Sequence, residues 1–432
     1  MKRKYLALMI LFLSLCGCFP DGGEKAVVYE NGLRRVLISD KNSLAASAYV
    51  FVRTGAIDEK PSQAGLSHFL EHLMFKGSAN YTGDALSRNV ENMGGYINAM
   101  TSNEYTAYYI NVSRDGIEEA VRMLADTMQS PQFPQAEIDR ERKVVIEEIQ
   151  RHSDNPIAVL DERFMENIYP TSALKNSVIG TSDVIANVSR QEIYDYYSAH
   201  YAPEKMAVVV CGNFDEKKIG AVIDETFGKF TKKTPPNAPN VIEENCAAKD
   251  TVSEGKVEIG YLFSGFLGPV ISNDDIFTAD LAAEILGGGK SSRLYRVLKE
   301  EKQIVFHIGS SFFTSTGNGA FYVSAVFDPA NLEEVKNEIK TQIEKIAKEG
   351  VNEEELKRAK LSIKTEWSFS FEKPSDIAYF YGYWTLMRSP EIVKEYISKL
   401  EKISAKDVQN FFEKYYSKDR LVNAALLPRA GK

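Results

Sequence analysis

The chain carries two copies of one short pattern, 215 residues apart, and this repeat restricts the folds that it can adopt. The first copy, VSRQEIYDYYSAHY, occupies residues 188–201, and the second, ISAKDVQNFFEKYY, occupies residues 403–416. In each copy a serine stands where a helix N-cap belongs, an amphipathic segment with paired aromatic residues follows, and an apolar strand-like run comes next. A period of this length indicates two duplicated domains rather than a solenoid.

The segment between the copies is rich in Pro, Lys and Asn, which marks a boundary. We predict a first domain over residues 25–230, a linker over residues 231–249 and a second domain over residues 250–432. Each half mixes strand-like and helix-like patterns, including the hairpin signal Asn31-Gly32 between two apolar runs. The sequence therefore predicts an α+β fold of two homologous domains, each an antiparallel sheet with helices packed on one face.

The composition is that of a globular protein and argues against one class of partner. Hydrophobic residues make up 44% and charged residues 26% of the 432 positions, so a substantial core can form. The net charge of −8 disfavours a general nucleic-acid binder, because such a surface needs concentrated Lys and Arg. We expect no nucleic-acid partner.

The start of the chain resembles a bacterial lipoprotein signal. Three basic residues precede an apolar run that ends at Leu15 and is too short to be a comfortable membrane span. The run closes on the letters LCGC, which resemble a lipobox and imply cleavage before Cys18 with lipid attachment to its thiol. We predict a signal peptide over residues 1–17 and a periplasmic or cell-envelope lipoprotein that is anchored to a membrane through Cys18. The alternative is an ordinary signal peptide.

A five-residue run, His68-Phe69-Leu70-Glu71-His72, contains two of the five histidines in the chain. On a helix, residues four apart share a face, so His68 and His72 can direct two imidazoles at one metal ion. Glu71 can reach a water molecule at the same ion. The order H-x-x-E-H is the inverted form of the zinc-protease motif, and it predicts a zinc metallopeptidase with one Zn²⁺ per chain.

A catalytic zinc site uses three protein ligands and keeps one position open, so another element must supply the third ligand. The charged helix predicted over residues 137–150 offers Glu141 and Glu148, which are seven residues apart and share one face. We assign Glu148 as the third ligand and Glu141 as a carboxylate that orients an imidazole. Glu147 falls on a different face, where a solvated salt bridge fits better. His152, four residues after Glu148, stays open as a competing ligand.

These motifs together resemble the pitrilysin (M16) family of metallopeptidases. His68-x-x-Glu71-His72 is followed by Glu148 after a further 76 residues, within the segment ERKVVIEE. A glycine-rich segment, GGGKSSRLY at residues 287–295, adds to the resemblance. The match extends over nearly the whole chain after the signal. The length resembles the short two-domain members, such as the beta subunit of the mitochondrial processing peptidase, which work as dimers.

The resemblance also implies where a peptide would bind. The run from Tyr96 to Val112 alternates much like a strand, and its Asn98-Ala99-x-Thr101 segment resembles the substrate-binding edge strand of the family. A peptide substrate would add to this edge as a further strand, beside Asn98 and Ala99. Glu71 would then take a proton from the attacking water and pass it to the leaving amine.

One part of the family pattern is missing. Active members carry an Arg and a Tyr seven residues apart that bind and polarise the substrate carbonyl, and the matching positions here are Lys299 and Phe306. Lysine lacks the planar fork of arginine, and phenylalanine has no hydroxyl group to donate. We expect either a homodimer with an imperfect carbonyl clamp or a heterodimer whose homologous partner supplies Arg and Tyr.

Two functions fit the sequence. The first is a zinc-dependent endopeptidase that hydrolyses peptides or unfolded protein segments as the zinc-bearing subunit of a dimer. The second is a non-catalytic scaffold or assembly subunit of a membrane-associated complex. A scaffold has no need for the complete set of His68, Glu71, His72 and Glu148, so the sequence favours the enzyme.

Overall fold

A computed structural model of the chain describes residues 26–231, 241–243 and 246–429. The predicted signal peptide and Cys18 lie outside these residues, as do positions 232–240 and 244–245 of the predicted linker. Among the helices of the described ranges, none is both long and apolar enough to cross a membrane.

The first half of the chain builds a six-stranded sheet with the strand order β1-β2-β6-β3-β5-β4. Its strands are β1 Val27–Val28, β2 Arg34–Ser39, β3 Ala45–Val52, β4 Tyr96–Thr101, β5 Thr106–Ser113 and β6 Met206–Gly212. Its helices are α1 Leu66–Met74, α2 Ala85–Asn92, α3 Ile117–Gln129, α4 Gln135–Asp154, α5 Pro156–Ile168, α6 Ser182–Asn187, α7 Arg190–His200 and α8 Glu216–Glu225. The hairpin predicted at Asn31-Gly32 is present, since β1 and β2 pair antiparallel on either side of it.

The second half builds a five-stranded sheet with the order β7-β11-β8-β10-β9. Its strands are β7 Lys249–Gly255, β8 Gly260–Val270, β9 Val305–Phe313, β10 Asn318–Phe327 and β11 Val422–Pro428. Its α-helices are α9 Asp275–Gly287, α10 Leu332–Glu349, α11 Glu353–Phe369, α12 Pro374–Met387, α13 Ile392–Glu401 and α14 Ala405–Tyr415, and a π-helical segment covers Tyr295–Glu301. The α+β class with two related halves is therefore confirmed. Each sheet also holds one parallel pair, β2 with β6 and β7 with β11.

The sequence repeat corresponds to one structural unit in each half. Ser189 caps α7 and Ser404 caps α14, each through a hydrogen bond from the backbone amide three residues later and a reciprocal capping box. Each helix leads into a central strand, β6 in the first sheet and β11 in the second. The repeat therefore places equivalent strands beside β3 and β8.

The two halves also exchange helices. The second-half helix α12 packs on β3 and β6 of the first sheet, and the first-half helix α5 packs on β8 and β11 of the second sheet. At Gly382 in α12 the approach is so close that a Cβ atom would lie 2.0 Å from the ring of Phe51. On α5, the ring centroid of Phe164 lies 5.7 Å from that of Phe263. Each sheet thus has helices of its own half on one face and a helix of the other half on the opposite face.

Candidate metal centre

The helix that carries the motif, α1, is anchored at both its apolar face and its N-terminus. Five of its apolar side chains are buried, Leu66, Phe69, Leu70, Leu73 and Met74. The preceding Gly65 adopts a φ of +93°, a conformation that favours glycine. The buried carboxylate of Glu59 accepts hydrogen bonds from the amides of Gly65 and Ser67, both at 2.7 Å. Glu59 thereby satisfies two amides that helix geometry leaves without a partner, a role that the sequence reasoning missed.

The packing of α1 against α4 brings His68, His72 and Glu148 together, and we call these three residues the ligand triad. One possible ligand atom from each lies within 4.8 Å of the other two. The Glu148 Oε2 atom is 3.8 Å from His68 Nε2 and 3.5 Å from His72 Nε2. Tetrahedral zinc with bonds of about 2.0–2.1 Å places its ligand atoms about 3.3 Å apart, and the two distances from Glu148 are close to this value.

The surroundings of His68 suit a metal ligand. Its Nδ1 atom is buried without a hydrogen-bond partner, and its Nε2 atom is too far from Glu148 for a hydrogen bond. Burial, together with the nearby His72, lowers the pKa of His68 to about 4. The imidazole is therefore neutral near pH 7 and able to donate a lone pair to a metal ion.

Glu141 and His152 take different places around the triad. Glu141 Oε2 lies 3.1 Å from His72 Nδ1, which fixes the ring so that Nε2 faces Glu148. Lys76 Nζ lies 2.8 Å from the other oxygen of Glu141. Burial raises the pKa of Glu141, but the hydrogen bonds from Lys76 and His72 outweigh it and lower the pKa overall. His152 lies outside the triad, and its Nε2 atom pairs with Glu162 at 2.9 Å.

Glu71 stands beside the triad without belonging to it. The hydroxyl group of Thr101, the last residue of β4, donates a hydrogen bond of 2.5 Å to Glu71 Oε2. Burial raises the pKa of Glu71, and the bond from Thr101 opposes that shift. A carboxylate of this kind, partly desolvated but still ionisable, suits a general base.

Profiles of two domains of one family match most of the chain. The profile described as insulinase (peptidase family M16) matches residues 34–182, and the profile of the peptidase M16 inactive domain matches residues 187–363. The chain belongs to the M16 peptidase family. The first profile contains the whole ligand triad, and the second runs from the end of α6 in the first half into α11 of the second half.

Relatives and solved structures agree with this assignment. An "uncharacterized zinc protease" of Rickettsia felis is 29% identical over 373 residues, which are 85% of this chain and 89% of that protein. The crystal structure of a protease from Helicobacter pylori superposes with a TM-score of 0.87 at 24% identity, over 94% of this chain and 99% of that one. A peptidase M16 inactive domain from Pseudomonas fluorescens gives a TM-score of 0.86 at 16% identity, over the same shares. At these identities the two structures show the shared fold.

In this M16 chain the strand with Asn98 and Ala99 lies at the edge of its sheet, and among the described strands β4 pairs with β5 alone. Ser102 N donates to Tyr105 O across the hairpin. In an antiparallel pair, alternate residues direct their backbone groups toward the partner strand, so the N–H and C=O groups of Ala99 and Thr101 point toward the free edge. The amide of Ala99 there donates to the side chain of Asn98 at 2.9 Å. The edge of β4 therefore presents, next to Glu71, backbone groups that are not hydrogen-bonded to any other strand of the described residues.

The other two candidate residues, Lys299 and Phe306, lie in the second half. Lys299 Nζ donates to the carbonyl oxygen of Phe306 at 2.9 Å. Phe306 belongs to β9, the edge strand of the second sheet, and is 56% exposed. The structure thus pairs the two residues with each other, and the ligand triad is built from the first half alone.

Proposed function

We propose that this M16 chain is a zinc-dependent endopeptidase that hydrolyses peptides or unfolded protein segments. The observation that carries the proposal is the ligand triad, with Glu71 beside it and an open strand edge next to both. The names of the curated relatives, which call them zinc proteases, support the same reaction class.

Each residue has a defined task in this proposal. His68, His72 and Glu148 hold the metal, and Glu141 keeps His72 in the orientation that directs Nε2 inward. When bound, zinc supplies Lewis acidity that polarises a carbonyl group and lowers the pKa of water. Glu71 accepts the proton of the attacking water and delivers it to the leaving amine.

The substrate is held by backbone contacts in this proposal. An extended peptide adds to the free edge of β4, where the N–H and C=O groups of Ala99 and Thr101 can pair with it. Because backbone groups are common to all peptides, this mode favours unfolded segments over a particular sequence. Asn98 has to release the amide of Ala99 when the substrate strand binds.

Metal removal and return tests the proposal. Cleavage of an unstructured fluorogenic peptide should stop after treatment with a chelator and return with one equivalent of zinc per chain. A Glu148→Gln variant should not recover at that zinc concentration. A Glu147→Gln variant should recover fully, because Glu147 is an exposed residue of the same helix. Cleavage that persists in the metal-free protein would contradict the proposal.

We further propose that the chain works as the zinc-bearing subunit of a dimer. Lys299 and Phe306 stand where active relatives by resemblance carry Arg and Tyr, so a homologous partner would supply that pair. The chain alone should then cleave slowly. A Lys299→Arg/Phe306→Tyr double variant should cleave at least about tenfold faster than wild type, since it restores a bidentate donor and a hydroxyl group. No gain in the double variant would contradict this role of the pair.

One observation favours the alternative role as a scaffold subunit. Lys299 and Phe306 stand in place of the Arg and Tyr that the resemblance implies for active members of the family. A scaffold should bind no zinc at the triad, or bind it without any cleavage in the presence of a homologous partner.

Membrane attachment through Cys18 is a separate proposal. A Cys18→Ser variant should lose its partition into the detergent phase with membranes.

A further inference from the structure

The turn between β4 and β5, residues 102–105, is held by a hydrogen bond of its own and by contacts with the segment around Gly55 and Ile57. Its own hydrogen bond runs from Ser102 N to Tyr105 O at 2.8 Å. The backbone at Gly55 approaches so closely that a Cβ atom there would lie 2.3 Å from Ser102 O. Ile57 N donates to Asn103 O at 2.8 Å. We call this segment the β4–β5 turn.

Glu104, in the β4–β5 turn, connects it to the second half of the chain. Its side chain is buried, with 5% of the residue exposed. Both carboxylate oxygens accept from the amide of Thr316, at 3.1 and 3.2 Å, and one also accepts from the Thr316 hydroxyl group. Thr316 lies between β9 and β10 of the second sheet, 212 residues away along the chain. Hydrogen bonds to a charged acceptor are among the stronger ones in proteins.

The neighbours of Glu104 make contacts in the same direction. The Tyr105 hydroxyl group lies 2.7 Å from that of Tyr379 on α12, the second-half helix that packs on the first sheet. Asn103 Nδ2 donates to the carbonyl oxygens of Leu174 and Asn176, at 3.3 and 3.0 Å. Three successive side chains of one turn thus have partners outside their own hairpin, and two of these partners belong to the second half.

The β4–β5 turn begins directly after Thr101, whose hydroxyl group is the hydrogen-bond donor to Glu71. We propose that the second half positions the general base through this turn, with Glu104 as the positioning residue. The inference rests on the proposed peptidase function, and it assigns a role in catalysis to the second half, which contributes no residue to the ligand triad. Glu104 holds the turn, the turn fixes the end of β4, and Thr101 then holds the Glu71 carboxylate in place for proton transfer.

A double-mutant cycle tests this chain of contacts. Glu104→Ala and Thr101→Val should each lower kcat about tenfold, the order expected for a hydrogen bond to a charged group. They should leave zinc content unchanged and shift KM less than twofold. If Glu104 acts through Thr101, the double variant should lose little more than either single variant. A loss equal to the product of the two single effects would overturn the proposal.

Conservative and distant substitutions provide the controls. Glu104→Gln keeps an acceptor for the Thr316 amide and should recover most of the kcat lost in Glu104→Ala. Asn167 also links the halves, since its side chain donates to Thr251 Oγ1 at 2.8 Å, but it is not part of the turn. Asn167→Ala should therefore leave kcat unchanged. An equal loss of kcat in Asn167→Ala would show a general interface effect and overturn the proposal.

Amide hydrogen exchange gives a readout that needs neither zinc nor activity. In the metal-free protein, Glu104→Ala should speed exchange over residues 101–105 and leave β6 unchanged, whereas Asn167→Ala should not affect residues 101–105. Exchange unchanged by Glu104→Ala would overturn the positioning role. If neither the wild-type chain with its partner nor the Lys299→Arg/Phe306→Tyr variant cleaves peptides, the peptidase function itself would be refuted instead.

Discussion

Replacing Glu141 should weaken zinc binding although Glu141 is not in the ligand triad. Its carboxylate lies 3.1 Å from His72 Nδ1 and 2.8 Å from Lys76 Nζ. Removal of the carboxylate releases the His72 ring and leaves the Lys76 ammonium group without its counter-charge near a cation. Carboxylates that orient metal-bound histidines typically account for about 10- to 100-fold in metal affinity, or about 1.4 to 2.7 kcal/mol. We expect about tenfold for Glu141→Gln, which keeps an acceptor, and close to a hundredfold for Glu141→Ala.

A competition titration against a chromophoric zinc chelator, at fixed pH and ionic strength, measures this effect. Glu147→Gln is the matched control, because it makes the same charge change at an exposed position of the same helix. Its zinc Kd should stay within about twofold of wild type, since exposed charges contribute little. A Kd for Glu141→Gln that equals that of Glu147→Gln would contradict the orienting role of Glu141.

Two further predictions concern the substrate edge and the pH dependence of stability. Ala99→Pro removes the edge-facing amide and should raise KM about tenfold with zinc content unchanged, whereas Ala99→Gly keeps the amide and should behave as wild type; equal KM values would argue against strand addition. Burial raises the pKa of Asp280 to about 7, with a Tyr396 hydroxyl donor at 2.6 Å. Because an unfolded aspartate ionises near pH 4, the contribution of Asp280 to the free energy of unfolding should fall by about 2 to 4 kcal/mol as pH rises from 4 to 8. Asp280→Asn should lack this part of the pH dependence in denaturant unfolding of the metal-free protein, and identical profiles would contradict the assignment.

Much of the fold and of the candidate site can be predicted from local sequence patterns. The two serine-capped helices and their following strands could be predicted because capping and amphipathic spacing act within a few residues. His68 and His72 share a face through helix geometry alone. Helical spacing also predicts Glu148 as the third ligand, and the structure places Glu148 with both histidines.

Contacts between distant segments could not be predicted from such patterns. Helical spacing left His152 open as a ligand, and only the position of Glu162 on α5 shows where its ring is bound. The alternation from Tyr96 to Val112 suggested one strand, whereas the chain turns at residues 102–105 and forms two. The bond between Glu104 and Thr316 spans 212 residues, and no periodicity encodes it. The exchange of α5 and α12 between the halves has the same origin, since an apolar helix face does not specify which sheet covers it.

The role proposed for Glu71 is that of the general base beside zinc held by His68, His72 and Glu148. Its most direct test is the cleavage rate of Glu71→Gln at a measured zinc content, in parallel with its parent protein and with the same partner present. We predict one zinc per chain in both proteins and a fall in kcat of at least about 100-fold in Glu71→Gln. A zinc-loaded Glu71→Gln protein that cleaves at the parental rate would contradict it.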